Sequence, residues 1–211
     1  MFYRFLWFVL RPFLLLPFRV RFVGRERVPA GGLVLAPNHE SYLDPVLVGL
    51  GLWRPVHFMA KEELWHNVVL AWVVTAMNTF PVKRGRADRA ALAEAARLLE
   101  AGEQIGIFPQ GTRHHAHGLE GLEEGAGGTA LIALRAGRPV VPVGIHGTDR
   151  IKPPGSRFIR FPRVTVVYGA PIDPAGIPEG QRRERVDDLT RRIMEGIAAA
   201  VEEASAEGGR R

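Results

Sequence analysis

From residue 19 onward, the chain alternates between short apolar runs and longer segments with apolar residues at three- and four-residue spacing. The first pattern is typical of buried strands and the second of helices packed on one face. The apolar runs predict strands over 19–23, 33–37, 55–60, 79–82, 105–109, 140–145 and 163–168. The helical spacing predicts a helix beginning at residue 46 and helices over 62–77, 87–101, 126–136 and 181–204, followed by a frayed polar tail. This alternation favours an α/β fold with a single mixed, mainly parallel sheet flanked by helices.

The first 18 residues, MFYRFLWFVLRPFLLLPF, have a different character. A membrane-spanning helix needs roughly 20 mainly apolar residues, whereas this run is shorter, contains Arg4 and Arg11, and is interrupted by prolines. Aromatic residues mixed with arginines are typical of a helix that lies in the lipid headgroup region. We therefore expect residues 1–18 to be a membrane-interfacial anchor and residues 19–211 to be one domain. A bilayer span and a signal peptide are the alternatives, although no small-residue cleavage site follows.

Composition narrows the possible chemistry. With 46% hydrophobic and 24% charged residues, the chain is typical of a globular protein. The absence of cysteine excludes disulfides, thiolate catalysis and cysteine-based zinc sites. The net charge of +6 suits anionic partners, such as phospholipid surfaces, phosphorylated substrates or nucleic acid.

A turn between the strand at 33–37 and the next helix contains His39 and Asp44. Reactive groups often lie on such turns, at the carboxyl ends of strands. If the chain folds back, the Asp44 carboxylate can hydrogen-bond one imidazole nitrogen and leave the other as a base. The structural alternative is that Asp44, followed by Pro45, is an ordinary helix N-cap.

Two further strand ends carry polar residues. The strand at 79–82 runs into Lys83-Arg84-Gly85-Arg86, and the strand at 105–109 runs into Gln110-Gly111-Thr112-Arg113. The guanidinium groups of Arg84 and Arg113 can each donate two N–H bonds to a phosphate. Together with the His39 turn, they predict a base beside a phosphate site.

Four motifs resemble those of the 1-acyl-sn-glycerol-3-phosphate acyltransferase family, the lysophosphatidate acyltransferases. Asn38-His39 followed by Asp44 resembles the family's NHxxxxD motif, and Phe80 to Arg84 resembles its second block. Phe108 to Arg113 is similar to its third block, FPEGTR, and Val140 to Val143 is similar to its fourth. The motifs agree in order and spacing, and the similarity covers about residues 19–170.

The resemblance implies a role for each matching residue. His39 would be the general base that takes the proton of the acceptor hydroxyl, and Asp44 would orient it. Arg84 and Arg113, with Gly111 and Thr112, would hold the acceptor's phosphate, and Lys61 would add a further phosphate contact. Residues 140–143 would shape the acyl side of the site.

Two positions depart from the family pattern. Gln110 replaces the family's usual glutamate, which keeps the size and one acceptor oxygen but removes the charge, so the identity of the acceptor is in question. Glu123 and Glu124 precede the Gly125-Ala126 turn, where the family often has lysines. This change removes positive charge and would alter docking of the donor or the membrane.

Other polar groups have simpler interpretations. His114, His115 and His117 could form a metal cluster, but with no obvious further ligand they are better explained as a polar loop. His57, His66 and His146 are interpreted as packed or surface histidines. The arginine pairs of the C-terminal helix lie among acidic residues, which indicates a solvated face and no nucleic-acid partner. No metal or cofactor is expected.

The sequence thus predicts an enzyme that moves an acyl group from acyl-coenzyme A or acyl carrier protein to the sn-2 hydroxyl of lysophosphatidate, giving phosphatidate. We expect it to be monotopic, at the cytoplasmic face of the cell membrane. One alternative is an acyltransferase acting on another lysophospholipid or lipid acceptor. The other is a catalytically silent lipid-binding protein of the same fold.

Overall fold

A computed structural model describes residues 8, 11–13, 15–66, 68, 71, 75, 78–82, 88–109, 123–153 and 155–209. Within these ranges the chain forms a seven-stranded sheet in the order β1-β7-β6-β2-β5-β3-β4. The strands are β1 Arg21–Val23, β2 Leu33–Pro37, β3 Val56–Lys61, β4 Phe80–Val82, β5 Gln104–Gly106, β6 Val140–His146 and β7 Thr165–Tyr168.

The sheet is mixed and mainly parallel, which confirms the predicted fold class. β2 lies between β5 and β6, with Val34 opposite Ile105 on one side and opposite Val140 on the other. β3 and β4 extend the same parallel set beyond β5. The other two strands, β7 and β1, run in the opposite direction. β7 is antiparallel to β6, and β1 is parallel to β7. The carboxyl ends of five strands therefore meet at one edge, which we call the carboxyl edge.

The α-helices with bounds inside the described ranges are α1 Asp44–Gly51, α2 Arg89–Glu100, α3 Glu123–Ala136 and α4 Arg182–Gly209. Short 3-10 helices span Arg25–Arg27, Glu62–His66 and Pro174–Gly176. The prediction for the C-terminal tail was wrong, because α4 continues to Gly209 and does not fray near residue 204. Its last turns are held to the sheet by the Arg21–Glu207 ion pair at 2.8 Å. The predicted helix over 62–77 begins as 3-10 helix, and most of residues 67–77 lie outside the described residues.

The sheet buries an apolar core on each face. One core packs α2, α3 and α4 through residues such as Leu99, Ala133 and Ile193. The other packs α1 together with Phe18 and Ile151. Because both faces are covered, the central strands β2 and β6 are buried along their length, apart from a partly exposed His146. This explains why their sequences are continuous apolar runs.

Gly144 allows α4 to lie directly on β6. A Cβ atom at this position would meet the main-chain carbon and oxygen of Ala200 at 2.1 and 2.2 Å, distances that a real Cβ does not adopt. Glycine is therefore required for close approach between this helix and the strand.

The N-terminal segment is joined to the domain at Phe18. This side chain is 5% exposed and packs in the core that contains α1. Among the described residues, no helix combines the length and the apolar character needed to cross a bilayer. Most of residues 1–10 lie outside the described ranges, so the interfacial anchor stays a prediction.

Candidate active site

The candidate site lies at the carboxyl edge, between β2 and β5. After β2 the chain enters α1, which packs on one face of the sheet. After β5 it continues to α3, which packs on the other face. Neighbouring strands whose connections leave on opposite faces create a crevice at their carboxyl ends, which is where α/β sheets commonly bind ligands.

His39 and Asp44 are in direct contact in this crevice. The Nδ1 atom of His39 lies 2.9 Å from Oδ2 of Asp44. The imidazole is 17% exposed, whereas the carboxylate is fully buried. When Nδ1 carries the proton and donates it to Asp44, the lone pair is on Nε2. The structure thus forms a histidine–carboxylate pair. The imidazole has access to solvent, and the buried carboxylate of Asp44 fixes its orientation.

The same carboxylate organises the turn that carries His39. Oδ2 of Asp44 accepts hydrogen bonds from the main-chain N–H groups of Glu40 and Ser41, both at 2.7 Å. The N-cap interpretation was wrong, because Leu43 is at the N-cap position and Asp44 is the first residue of α1. The carboxylate faces back into the turn. One side chain therefore holds both the imidazole and the backbone next to it.

Asn38 attaches the turn to β6. Its Nδ2 donates to the carbonyl of Ile145 at 3.0 Å, and its Oδ1 accepts from the N–H of Ile145 at 2.7 Å. The side-chain amide thus replaces a peptide group and continues the β2–β6 pairing beyond Pro37. In the sequence, Asn38 was named only as the first residue of the NHxxxxD-like motif, with no role of its own. Its position directly before His39, at the end of an apolar run, was the available signal.

Phe108 forms an aromatic wall beside the imidazole. Its ring centroid lies 4.1 Å from that of His39, at an interplanar angle of 33°. Phe58, on β3, stacks behind Phe108 with centroids 5.9 Å apart. Ring packing restricts the rotamers of His39. Sequence reasoning assigned no role to Phe108 beyond its place in a motif.

Ionisable groups surround the buried end of the turn. Burial, with the nearby carboxylates of Asp149 and Asp44, raises the pKa of Glu40 to about 7, and Arg150 opposes this shift. Burial and the neighbouring Arg150 lower the pKa of His146, and the Nη2 of Arg150 lies 3.2 Å from the imidazole Nε2. The site therefore contains a carboxyl group that titrates near neutral pH.

The predicted phosphate-binding residues fall mainly outside the described residues. This is so for Arg84, Gln110, Gly111, Thr112 and Arg113. Lys61 is the last residue of β3, and β4 ends at Val82. These strand ends lie at the same edge of the sheet as His39. The roles of all these residues stay predictions.

Among the other histidines, His57 has a separate contact, and His114, His115 and His117 lie outside the described ranges. Nε2 of His57 lies 3.9 Å from a carboxylate oxygen of Glu103, in a partly exposed position. Within the part of the chain that the structure describes, no group of three or more histidine, aspartate or glutamate side chains could hold a metal ion. His114, His115 and His117 are outside those ranges, so the metal alternative there is untested.

Comparison with known proteins identifies relatives of this arrangement. The profile of the family described as "Acyltransferase" matches residues 19–146. The chain is 28% identical over 180 residues to the 1-acyl-sn-glycerol-3-phosphate acyltransferase of Bacillus subtilis, covering 84% of this chain and 86% of that protein. It is 27% identical over 213 residues to the lyso-ornithine lipid O-acyltransferase of Pseudomonas aeruginosa, covering 93% of this chain and 80% of that protein.

A solved structure gives the same result. The crystal structure of the 1-acyl-sn-glycerophosphate acyltransferase PlsC from Thermotoga maritima matches with a TM-score of 0.69 and 30% identity, covering 89% of this chain and 72% of that one. Fold, motif order and the matched profile agree, and the histidine–aspartate pair falls inside the matched region. The chain therefore belongs to the acyltransferase family and is an enzyme of acyl transfer.

Proposed function

We propose that this protein transfers a fatty acyl group from a thioester donor to the sn-2 hydroxyl of 1-acyl-sn-glycerol-3-phosphate, giving phosphatidate for phospholipid synthesis. The observation that carries the proposal is the 2.9 Å contact between His39 and Asp44 at the carboxyl edge. The acceptor is supported by the activity named for the Bacillus and Thermotoga relatives. A net charge of +6 suits an anionic acceptor.

In this mechanism His39 is the general base. With Nδ1–H donated to Asp44, Nε2 takes the proton of the acceptor hydroxyl while its oxygen attacks the thioester carbonyl carbon. The carbon–sulfur bond then breaks, and the imidazolium returns the proton to the leaving thiolate. The products are the new ester and a free thiol, without a covalent acyl-enzyme. Asp44 stabilises the imidazolium that forms between the two steps.

The acceptor's phosphate would be held by Arg84 and Arg113, with help from Thr112, the close backbone approach at Gly111, and Lys61. Gln110 would bind glycerol oxygens through its amide. The strand order supports this assignment, because the described carboxyl ends of β3, β4 and β5 lie at the same edge as His39. Binding both substrates there would bring hydroxyl and thioester together, which is a large part of the rate acceleration in such reactions.

The donor would be acyl-coenzyme A or acyl carrier protein, and the enzyme would act on the cytoplasmic face of the membrane as a monotopic protein. The aromatic N-terminal sequence, with its two arginines, supports attachment to the lipid headgroup region. A lipid acceptor would then reach His39 without leaving the membrane surface.

The direct test is turnover by the purified full-length protein, with radiolabelled lysophosphatidate and either acyl-coenzyme A or acyl carrier protein as donor. We expect wild-type protein to form labelled phosphatidate. His39→Ala should lower kcat by about 10²- to 10⁴-fold, since general-base catalysis contributes about that much. Full turnover by His39→Ala would remove His39 as the base, and failure of wild type with every donor and acceptor would favour a silent lipid-binding protein.

Asp44→Asn tests the orienting carboxylate. The amide keeps an acceptor oxygen for the backbone N–H groups but no longer stabilises an imidazolium, so kcat should fall by about 10²-fold or more while the fold persists. The matched control is Asp88→Asn, because Asp88 also accepts from two main-chain N–H groups, Ala90 and Ala91, at the start of α2. Equal loss of kcat in both variants would mean that Asp44 is only structural.

A second acceptor class is favoured by one comparison. The Pseudomonas relative is named for acyl transfer to a lyso-ornithine lipid, and Gln110 removes a charge at a position next to the acceptor in our proposal. Lyso-ornithine lipid should therefore be assayed beside lysophosphatidate and other lysophospholipids. A higher kcat/KM for one of them would reassign the acceptor without changing the role of His39.

A further inference from the structure

Three large apolar side chains are exposed in the connection between β6 and β7. Phe158 is 80% exposed, Ile159 is 62% exposed and Phe161 is 57% exposed. We call residues 157–161, with the sequence Arg-Phe-Ile-Arg-Phe, the aromatic loop. Clustered exposed apolar residues usually mark a surface that binds a partner or a membrane.

The aromatic loop is held in place by the residues at its base. The N–H of Arg160 donates to the carbonyl of Ile151 at 2.8 Å. The hydroxyl of Ser156 donates to the carbonyl of Phe158 at 2.9 Å. Ile151 itself is 5% exposed and belongs to the core that contains α1. The outward position of the apolar tips is therefore set by a buried base.

The charge around the aromatic loop is of one sign. Between Asp149 and Asp173 there is no acidic residue, whereas the same interval has five basic residues: Arg150, Lys152, Arg157, Arg160 and Arg163. Arg157 and Arg160 are exposed, next to the apolar tips. Arginines beside exposed aromatic groups complement a surface that is apolar within and anionic outside, as a bilayer with acidic headgroups is.

The aromatic loop also adjoins the N-terminal segment at the carboxyl edge. The ring of Phe161 lies 5.3 Å from that of Phe18, and the N–H of Val164 donates to the carbonyl of Phe18 at 3.0 Å. Just before Phe18, Phe13 and Leu16 are 72% and 74% exposed. Because β6 is parallel to β2, its carboxyl end starts this connection at the same edge as His39.

We propose that the aromatic loop inserts Phe158, Ile159 and Phe161 into the surface of an anionic phospholipid bilayer. It forms a second membrane contact beside the N-terminal segment, and the two contacts orient the carboxyl edge towards the lipid. This goes beyond the proposed function, because it assigns a membrane-binding role to a part of the fold to which the proposed reaction gives no role.

The absence of cysteine allows a site-specific test. Phe158→Cys is labelled with an environment-sensitive fluorophore and mixed with vesicles of phosphatidylglycerol and phosphatidylcholine, with or without a quencher on the acyl chains. We expect a blue shift, a several-fold rise in emission, and quenching from the acyl chains. The matched control is Glu179→Cys, an exposed position after β7, at the opposite edge of the sheet. It should show none of these changes.

Three results would overturn the proposal. One is unchanged emission from position 158 while the protein sediments with the vesicles. Another is an equal change at position 179. The third is a change without vesicles that grows with protein concentration, which would assign the surface to a second copy of the chain.

The arginines give an independent measurement. Each exposed arginine near an anionic surface strengthens binding by about fivefold, so Arg157→Gln with Arg160→Gln should weaken vesicle partitioning by about 25-fold. The effect should shrink as salt is added. The control pair Arg182→Gln with Arg183→Gln, at the opposite edge, should change partitioning little. Equal effects of the two pairs would mean that only the net charge of the protein matters for vesicle binding. That result would contradict a specific contact at the aromatic loop.

Acyl transfer to an acceptor dispersed in detergent separates this proposal from the proposed function. The Arg157/Arg160 variant should retain wild-type turnover in detergent and lose turnover on vesicles. If wild type itself has no turnover, the proposed function fails, while the fluorescence result still decides whether the aromatic loop inserts.

Discussion

At the scale of single residues, Glu40 makes the stability of the protein depend on pH. Its main-chain N–H is bound by Asp44, and its carboxyl group is partly buried near two other acids, which raises its pKa from 4.5 to about 7. Between these values the folded protein retains a proton that the unfolded chain releases. The contribution of Glu40 to the free energy of unfolding therefore falls as pH rises through this window.

Glu40→Gln should remove that dependence. We expect the variant to be more stable than wild type by about 1–2 kcal/mol at pH 8, after allowance for solvent screening, and equally stable near pH 4.5. Urea denaturation of the variant and of wild type at a series of pH values measures these two differences in stability. The lowered pKa of His146 acts in the opposite direction but is present in both proteins, so it cancels in the difference.

Glu179→Gln is the control for this experiment, because Glu179 is exposed. Its pH profile of stability should match that of wild type. A Glu40→Gln profile parallel to that of wild type would mean that the Glu40 carboxyl group titrates normally in the folded protein.

At the scale of elements, the turn after β2 depends on β6 for its position. Asn38 makes two hydrogen bonds to the main chain of Ile145, although the residues are 107 positions apart. Both partners on Ile145 are buried peptide groups, and an unpaired buried peptide group costs about 1–3 kcal/mol.

Asn38→Ala should therefore lower the free energy of unfolding by about 2–3 kcal/mol, since it leaves the N–H and the carbonyl of Ile145 without their partner. It should also lower kcat by roughly 10- to 100-fold, because a small displacement of His39 spoils its alignment with substrate. Urea denaturation and steady-state assays measure the two effects. A stable variant with wild-type kcat would show that the turn holds its shape without this bridge.

At the scale of the whole molecule, the carboxyl edge brings together parts of the chain that are distant in sequence. It contains the His39 turn, the aromatic loop and the junction at Phe18. A single edge with both the chemistry and the membrane contacts would explain how a largely buried imidazole reaches a lipid hydroxyl.

Deleting residues 2–10 tests the predicted anchor while keeping Phe18 in the core. We expect weaker sedimentation with membranes and an unchanged cooperative unfolding transition, because Leu15 and Phe18 retain their packing. Residual binding should disappear when Arg157→Gln and Arg160→Gln are added. Full sedimentation of the truncated chain would contradict an anchor in this segment.

Much of the fold followed from the sequence because hydrophobic periodicity records which faces are buried. The apolar runs located the strands and the spacing located the helices, with errors at their ends. The strand predicted over 105–109 pairs only over Gln104–Gly106, and Phe108 packs on His39 beyond the paired segment. The motifs also identified the His39–Asp44 turn, because the chemistry of a base and a carboxylate requires those residue types.

Only the tertiary structure decided which distant residues meet. The strand order placed β2 between β5 and β6, and so brought Phe108 and Ile145 to the same turn. It also placed the aromatic loop against Phe18 at the edge where His39 lies. Periodicity along a chain describes burial but not partners, since the pairing of strands depends on the packing of the whole sheet between its helices.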